Sequence, residues 1–321
     1  MDTDTPDITA PVLALVGPTA IGKTALSLWL AERFSCEIVG LDSMQIYRHM
    51  DIGTAKPTRA ERAVVPHHLI DVVDPAEEYH VGRYVEEATV ACREIIGRGH
   101  VPMLVGGTGL YLRGVLDGLF EIAPAEAGVR QELKQRLDQE GRAALHAELA
   151  LVDPESAQRI HPNDTQRLLR GLEIFLQTGQ PWSALLGQQR GRRRFARVLR
   201  IGLGCERELL YQRINLRVEK MMEEGLLAEV EGLLAMGYDP GLPAMQAIGY
   251  RHMVNVLRGA WPLEEALTLL ARDTRRYAKR QLTWFGADRE MRWFEPGDRQ
   301  AIMGLIEEFF ASATKYQGEP R

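Results

Sequence analysis

Cysteine is nearly absent from this 321-residue chain, and the three present, Cys36, Cys92 and Cys205, are far apart with no Cys-x-x-Cys spacing. That excludes a disulfide framework and argues against a zinc site. Long apolar runs are also missing. No stretch approaches the roughly 18 residues of a membrane span, and the first ten residues, MDTDTPDITA, are acidic and polar where a signal peptide is basic and then apolar. A cytoplasmic protein is expected. Basic charge is not in excess either, since 39 basic against 44 acidic residues leave a net charge of -5. A protein that coats nucleic acid with its whole surface is therefore excluded, although a local basic groove is not. Only six of the 39 basic residues are lysine, so 33 are arginine. A bias spread over the whole chain carries little functional weight. There is no internal repeat and no low-complexity segment.

What is present is the composition of a soluble globular protein, 45% hydrophobic and 26% charged, with length for about two domains. Residues 11–16, PVLALV, form an apolar run that ends in glycine, and 24–34 have helical periodicity. CEIVGLD (36–42), HLIDVVD (68–74) and VPMLVGG (101–107) read as further buried strands, with a helix before the last. Alternating strands and helices imply an α/β fold, a P-loop-type, doubly wound, mostly parallel sheet. From 118 to 196 the pattern is helical throughout, which marks an inserted all-helical domain between core segments 1–117 and 197–321. RVLRIGLG (197–204) returns to strand character. Helices are expected over 206–236, 243–258, 262–285 and 299–313, with a short strand, MRWFE, before the last.

Gly17-Pro18-Thr19-Ala20-Ile21-Gly22-Lys23-Thr24 matches G-x-x-x-x-G-K-[ST] and lies between an apolar strand and a helix, where that pattern functions. Its backbone amides, the helix start and Lys23 make a cradle for a di- or triphosphate, and the Thr24 hydroxyl is suited to Mg2+. The loop does not say what the diphosphate carries. No Asn-Lys-x-Asp guanine-reading motif occurs. A small-molecule or nucleotide kinase, a transferase with a diphosphate leaving group and a noncatalytic nucleic-acid-binding P-loop protein all remain open at this point.

Asp42 ends the second strand and so opens into the crevice at the strands' carboxyl ends, where a carboxylate can hold a metal or accept a proton. Before Ser43 and Gln45 it is also a good helix cap. Gly53 to Thr58 form a glycine, lysine and hydroxyl loop of a kind that contacts phosphate or sugar, and Gly106-Gly107-Thr108-Gly109 place a second glycine turn on the crevice rim. His67 and His68 are neighbours in a strand, point to opposite faces and cannot share a metal, so they read as structural. Arg272, Arg275, Arg276, Lys279 and Arg280 form a basic stripe with Tyr277 and Trp284 interleaved. Arg167 and Arg170 share a helix face, and arginines crowd 190–200. Such concentrations suggest a nucleic-acid groove, with solvated helix faces as the alternative.

The ordered motifs GPTAIGKT, LDSMQIYR, DIGTAKPT, PHHLID, VGGTGLY, NDTQRLLRGLEI, QAIGYR and AKRQLTWF resemble the bacterial tRNA dimethylallyltransferase family from about residue 12 to 286. The resemblance implies transfer of a dimethylallyl group from dimethylallyl diphosphate to the exocyclic amine of the adenosine immediately 3′ to the anticodon. The implied partners are the tRNA anticodon stem-loop and dimethylallyl diphosphate, with Mg2+ as cofactor, no membrane and a monomeric chain. No nucleoside triphosphate is implied.

Carried over by that resemblance, Gly17, Pro18, Thr19, Ala20, Ile21, Gly22, Lys23 and Thr24 hold the donor's diphosphate, with Thr24 near magnesium. Asp42 is the general base, and Thr19 and Arg217 steady the diphosphate. Segments implied to touch tRNA are Asp42, Ser43, Met44 and Gln45; Gln166, Arg167, Leu168, Leu169 and Arg170; and Gln246, Ala247, Ile248, Gly249, Tyr250 and Arg251. Lys279, Arg280, Gln281, Leu282, Thr283, Trp284, Phe285 and Gly286 form the last such segment, and Thr108 and Arg130 are single implied contacts. Ile21 departs from the small residue many relatives carry, which predicts altered packing without loss of the diphosphate site. The arginines at 190–200 match no motif.

Overall fold

PVLALV and CEIVGL are unbroken apolar runs, and such runs persist only where a strand is covered on both faces. In the computed structural model, which describes residues 6–118, 127–188 and 194–316, every residue of β1 (Val12–Val16) and β2 (Cys36–Leu41) is buried. The chain divides into two compact units, one made of 1–117 with 193–321 and the other of 118–192.

In the first unit β1 leads through the glycine loop to α1 (Lys23–Phe34), whose Leu26 and Leu30 lie one turn apart and face the core. β2 is followed by α2 (Arg59–Val64), β3 (His67–His68), α3 (Val81–Gly97), β4 (Val101–Gly106) and α4 (Gly109–Asp117). The second unit holds α5 (Ala127–Val152), which breaks at Gly141, then α6 (Pro154–Arg159), α7 (Thr165–Thr178) and α8 (Trp182–Gln188). Leu133, Leu145, Leu149, Leu168 and Leu172 form its core. Asp153 caps α6, accepting from Ser156 N at 3.0 Å, and also accepts from Ser183 N at 3.0 Å, which joins α6 to α8.

The first unit then resumes with β5 (Val198–Leu203), α9 (Arg207–Glu223), α10 (Leu226–Ala235), α11 (Tyr250–Leu257), α12 (Leu263–Gly286), β6 (Arg292–Phe294) and α13 (Arg299–Tyr316). All six strands are parallel, in the order β3-β2-β4-β1-β5-β6. Val16 is level with Gly106 on one side and Gly202 on the other, and Leu41 is also level with Gly106. The loops after β1, β2 and β4 therefore leave the sheet side by side. One core cluster packs Leu13, Ile21, Leu30, Ile201, Ile214 and Ile306 around the sheet, and a second joins Ile46, Met50, Val218, Leu226, Tyr250 and Leu270 beneath the helices that follow β5.

Several expectations need correction. The strand expected over 68–74 is only His67–His68, because Leu69 and Asp71 adopt positive φ (60 and 57) and turn the chain away. That turn presents Asp71 to Lys56 and Arg62, each at 2.6 Å. The helix expected over 206–236 is two, α9 and α10, separated at Gly225 with φ 97. The helix expected to start at 243 starts at Tyr250, the preceding segment being turns. Residues 194–196 sit with the first unit, since Ile8 N donates to Arg194 O at 2.9 Å and Ala196 N to Ile8 O at 2.8 Å. The unit boundary is thus a few residues earlier than 196.

Candidate active site

Gly22, with φ 105, bends the chain between β1 and α1, and α1 begins at Lys23. The Lys23 ammonium folds back onto the loop, donating to Gly17 O at 2.9 Å and Pro18 O at 2.8 Å. Two arginines of α9, one turn apart, brace the same loop. Arg213 donates to Ile21 O at 3.0 Å and Arg217 to the Thr19 hydroxyl at 3.2 Å. Ile21 is fully buried among the sheet's core residues, so its bulk is absorbed by packing.

Asp42 stands just past β2, where its Oδ1 accepts from Met44 N at 2.9 Å and Gln45 N at 3.4 Å. Asp42 caps a turn where a helix cap was expected, and it also lines the cavity into which Lys23 and Arg217 face. Burial pushes the Asp42 carboxyl up, opposed by those two amides and by Lys23 and Arg217. Burial pulls Lys23 down to about 7, with Asp42 opposing the fall, and it also lowers Arg217. Lys23 and Asp42 are ringed by protein yet only half-buried, because the cavity opens onto them. A carboxylate made more basic by its surroundings, beside two cations, can take a proton on one side while an anion is held on the other.

This cavity, about 560 Å3, is lined by the glycine loop, Asp42 to Gln45, Ile214, Arg217, Val218 and Met221 of α9, Gln246 to Ile248, and Leu270, Tyr277, Arg280 and Gln281 of α12. Thr108 joins the rim by accepting from Ser43 N at 3.1 Å. Gly109 lies flat beneath the Trp284 ring, where a Cβ would come within 2.1 Å of Cδ1.

Within the segments implied to touch tRNA, roles differ residue by residue. Lys279, Arg280, Thr283 and Trp284 are exposed along α12, whereas Gln281 and Phe285 are buried and Leu282 packs on the sheet's core. Tyr250 is also buried, its hydroxyl donating to Glu229 at 2.6 Å. Gln45 Nε2 donates to Thr54 O at 3.1 Å, Gln246 Nε2 to Pro240 O at 2.7 Å, and Arg251 pairs with Asp273 at 2.6 Å. In the second unit Arg130 and Arg170 both reach Glu173 at 3.2 Å, Arg167 pairs with Asp164 at 2.7 Å, and Leu168 is buried. Gln166 and Arg167 remain exposed, and Leu169 packs against that unit's core.

Other sequence readings are overturned. In the loop Gly53 to Thr58, Lys56 is withdrawn from ligand contact, because it is buried and donates to Tyr47 O at 2.7 Å while pairing with Asp51 and Asp71 at 2.6 Å, whereas Gly53, Thr54 and Ala55 form one wall of the cavity. In the arginine cluster, Arg197 donates to Phe309 O at 2.9 Å and Arg200 pairs with Asp288 at 2.7 Å, so both serve packing. Residues 190, 192 and 193 of that cluster lie outside the described residues. His68 bonds Glu37 at 2.7 Å and His67 bonds Val65 O at 2.7 Å, the structural roles expected of them. The basic stripe is partly neutralised, since Asp273 also takes Arg272 at 3.1 Å, and Arg275 is held by a hydrogen bond to the neutral amide of Asn215 at 2.8 Å. Sequence reasoning missed Arg213, Glu229 and Asp273. Only Arg213 carried a signal, its four-residue spacing from Arg217 on one helix.

Comparison with known proteins agrees with this geometry. The family model described as IPP transferase matches residues 45–289, and the one described as isopentenyl transferase matches 10–68. The chain is 53% identical over 299 residues to the tRNA dimethylallyltransferase of Desulfotalea psychrophila, covering 93% of this chain and 95% of that one. The tRNA dimethylallyltransferase of Syntrophobacter fumaroxidans is 50% identical, over 92% of this chain and 86% of its own. The fold superposes on the full-length tRNA isopentenylpyrophosphate transferase of Bacillus halodurans with TM-score 0.71 and 41% identity, covering 96% and 99% of the two chains. A eukaryotic dimethylallyltransferase acting on tRNA superposes with TM-score 0.79 and 28% identity, over 95% of this chain and 80% of that one. A glycine loop, a carboxylate that burial makes more basic and an arginine in one cavity, together with a family match that spans most of the sequence, lead to one conclusion: this chain belongs to the IPP transferase family.

Proposed function

We propose that this protein transfers a dimethylallyl group from dimethylallyl diphosphate to the exocyclic amine of the adenosine 3′ to the anticodon of tRNA, releasing diphosphate. The observation that carries this reading is the placement of Asp42 in one cavity with Lys23, Thr19 and Arg217. Adenine's amine is a poor nucleophile because its lone pair is delocalised into the ring. As the new bond forms between that nitrogen and the allylic carbon, Asp42 takes the amine proton. The carbon-oxygen bond to diphosphate breaks, its electron pair leaves with the diphosphate, and the loop amides, Lys23 and Arg217 meet the growing negative charge. The cavity's apolar side, Ile214, Val218, Met221 and Leu270, suits a hydrocarbon chain.

Mg2+ fits the residues at hand. Thr24 lines the cavity in the first turn of α1, and its hydroxyl, a hard oxygen donor, would hold the ion. Bound there, the ion would neutralise diphosphate charge. An anticodon loop supplies unpaired bases that can be splayed into such a cavity. A monomeric chain acting in the cytosol, where tRNA resides, belongs to the same proposal.

The test offers the purified protein, with magnesium, an unmodified anticodon stem-loop and either labelled dimethylallyl diphosphate or labelled ATP. Allyl label on the adenosine amine is the expected result. Label arriving only from ATP would return the glycine loop to a kinase role and withdraw the roles given to Asp42 and Arg217.

A further inference from the structure

Gln281 is among the few polar side chains enclosed by this protein, 5% exposed, on the inner face of α12. Its carboxamide is used at both ends. Oε1 accepts the Thr19 N–H at 2.9 Å, and Nε2 donates to Gly107 O at 3.0 Å. The two partners belong to the loops that follow β1 and β4, adjacent parallel strands whose ends are level at Val16 and Gly106. The fit is close, since a Cβ on Gly107 would come within 2.1 Å of Nε2.

Each end of this bridge continues into the site. Thr19 accepts from Arg217 at 3.2 Å on the diphosphate side. Thr108, next to Gly107, accepts from Ser43 N at 3.1 Å, and Ser43 follows Asp42. A carboxamide is the side-chain group that accepts at one atom and donates at the other across a fixed gap. Leucine of similar volume would leave one donor and one acceptor without partners, and glutamate would set a carboxylate against the Gly107 carbonyl. The neighbours that face outward, Lys279, Arg280, Thr283 and Trp284, are left to meet RNA.

We propose that Gln281 is a positioning residue for group transfer: its carboxamide sets the distance between Thr19 on the diphosphate loop and the Gly107–Thr108 turn beside Asp42, and it acts through those two loops. The proposal rests on the allyl-transfer reading for its kinetic consequence but not for the bridge itself. Misplacing reacting groups by about 1 Å costs on the order of 100-fold in rate.

The experiment compares wild type with Gln281→Leu and Gln281→Glu by kcat and KM for both substrates, stem-loop affinity, and amide hydrogen exchange resolved to residues 17–24 and 106–110. Gln281→Leu should lower kcat on the order of 100-fold with unchanged stem-loop affinity, and speed exchange in both loops but not in α9. Gln281→Glu keeps an acceptor for Thr19 and should loosen 106–110 alone. Weakened stem-loop binding with kcat intact at saturation would make Gln281 an RNA contact and overturn the proposal, as would unchanged exchange in both loops. A wild type that moves no allyl group would sink the functional reading instead, and the exchange pattern would still decide whether the bridge holds the loops.

Discussion

Arg217 of α9 donates to the hydroxyl of Thr19 on the glycine loop at 3.2 Å, across 198 residues of sequence. The bond ties the loop to α9, and in the proposed reaction both face the diphosphate. Arg217→Gln should lower kcat by about 100- to 1000-fold, the usual cost of one group that stabilises developing negative charge. Pairing it with Thr19→Val in a double-mutant cycle should give less than the sum of the two losses, because both act through one contact. Full additivity would mean the bond has no bearing on transfer.

Asp42→Asn keeps an acceptor for the Met44 and Gln45 amides and removes only the basic oxygen. Its kcat should fall by about 100- to 10,000-fold, with stem-loop affinity retained. Equal loss of binding and turnover would make the Asp42 carboxylate an RNA-binding group in place of the base.

The salt dependence of tRNA binding should distinguish members of the basic stripe. Lys279 is exposed, while Arg272 pairs with Asp273 at 3.1 Å. Lys279→Ala should flatten the slope of log affinity against log salt by about 0.7 to 0.9, one phosphate contact, and Arg272→Ala should change it less. Equal effects would mean that the Asp273 pairings open in the complex.

Glu37, 3% exposed at the opposite ends of the strands, receives Arg98 at 2.7 Å, His68 at 2.7 Å and His100 at 2.7 Å. Its bond with Arg98, ahead of those with the two histidines, holds its carboxyl at about 2 against an ordinary 4.5. The resulting stability, about 3 kcal/mol, is fully present above pH 4.5 and is lost as pH falls toward 2. Melting temperatures of wild type and Glu37→Gln should differ most above pH 4.5 and converge in acid. Curves that stay parallel throughout would remove Glu37 from acid unfolding.

Glu229 accepts from the amides of Asp51, Ile52 and Gly53 at 2.9, 2.7 and 3.1 Å, and from the Tyr250 hydroxyl at 2.6 Å. Glu229→Ala strands these donors, so it should cost about 2 kcal/mol and raise KM by loosening the 53–55 wall of the cavity. Denaturant melts and steady-state kinetics check both parts, and an unchanged KM would separate this network from the site.

Residues whose placement depends on neighbours in sequence were legible in advance. Gly17 to Thr24 read as a glycine loop between strand and helix because strand, glycines, lysine and helix start are contiguous, and the structure places them so. The position of Asp42 at the cavity was legible for a similar reason, since a polar residue ending an apolar strand of a parallel sheet opens at its carboxyl edge. Lys56 misled, because nothing local shows that Asp51 and the turn at Asp71 close around its ammonium. Gln281 sits in a segment matched as a whole to RNA contact, and the segment is one helix with an outer and an inner face.

The sequence alone determined the parallel sheet, the helical segment between its halves, the glycine loop after β1 and the family, since apolar periodicity and contiguous motifs encode them directly. Tertiary structure decided which of the many arginines serve the site, which implied contacts are buried, and which amide joins the two glycine loops. Those outcomes depend on what a side chain meets across the fold. Burial and partner choice are set by packing between segments hundreds of residues apart, and no local pattern specifies them.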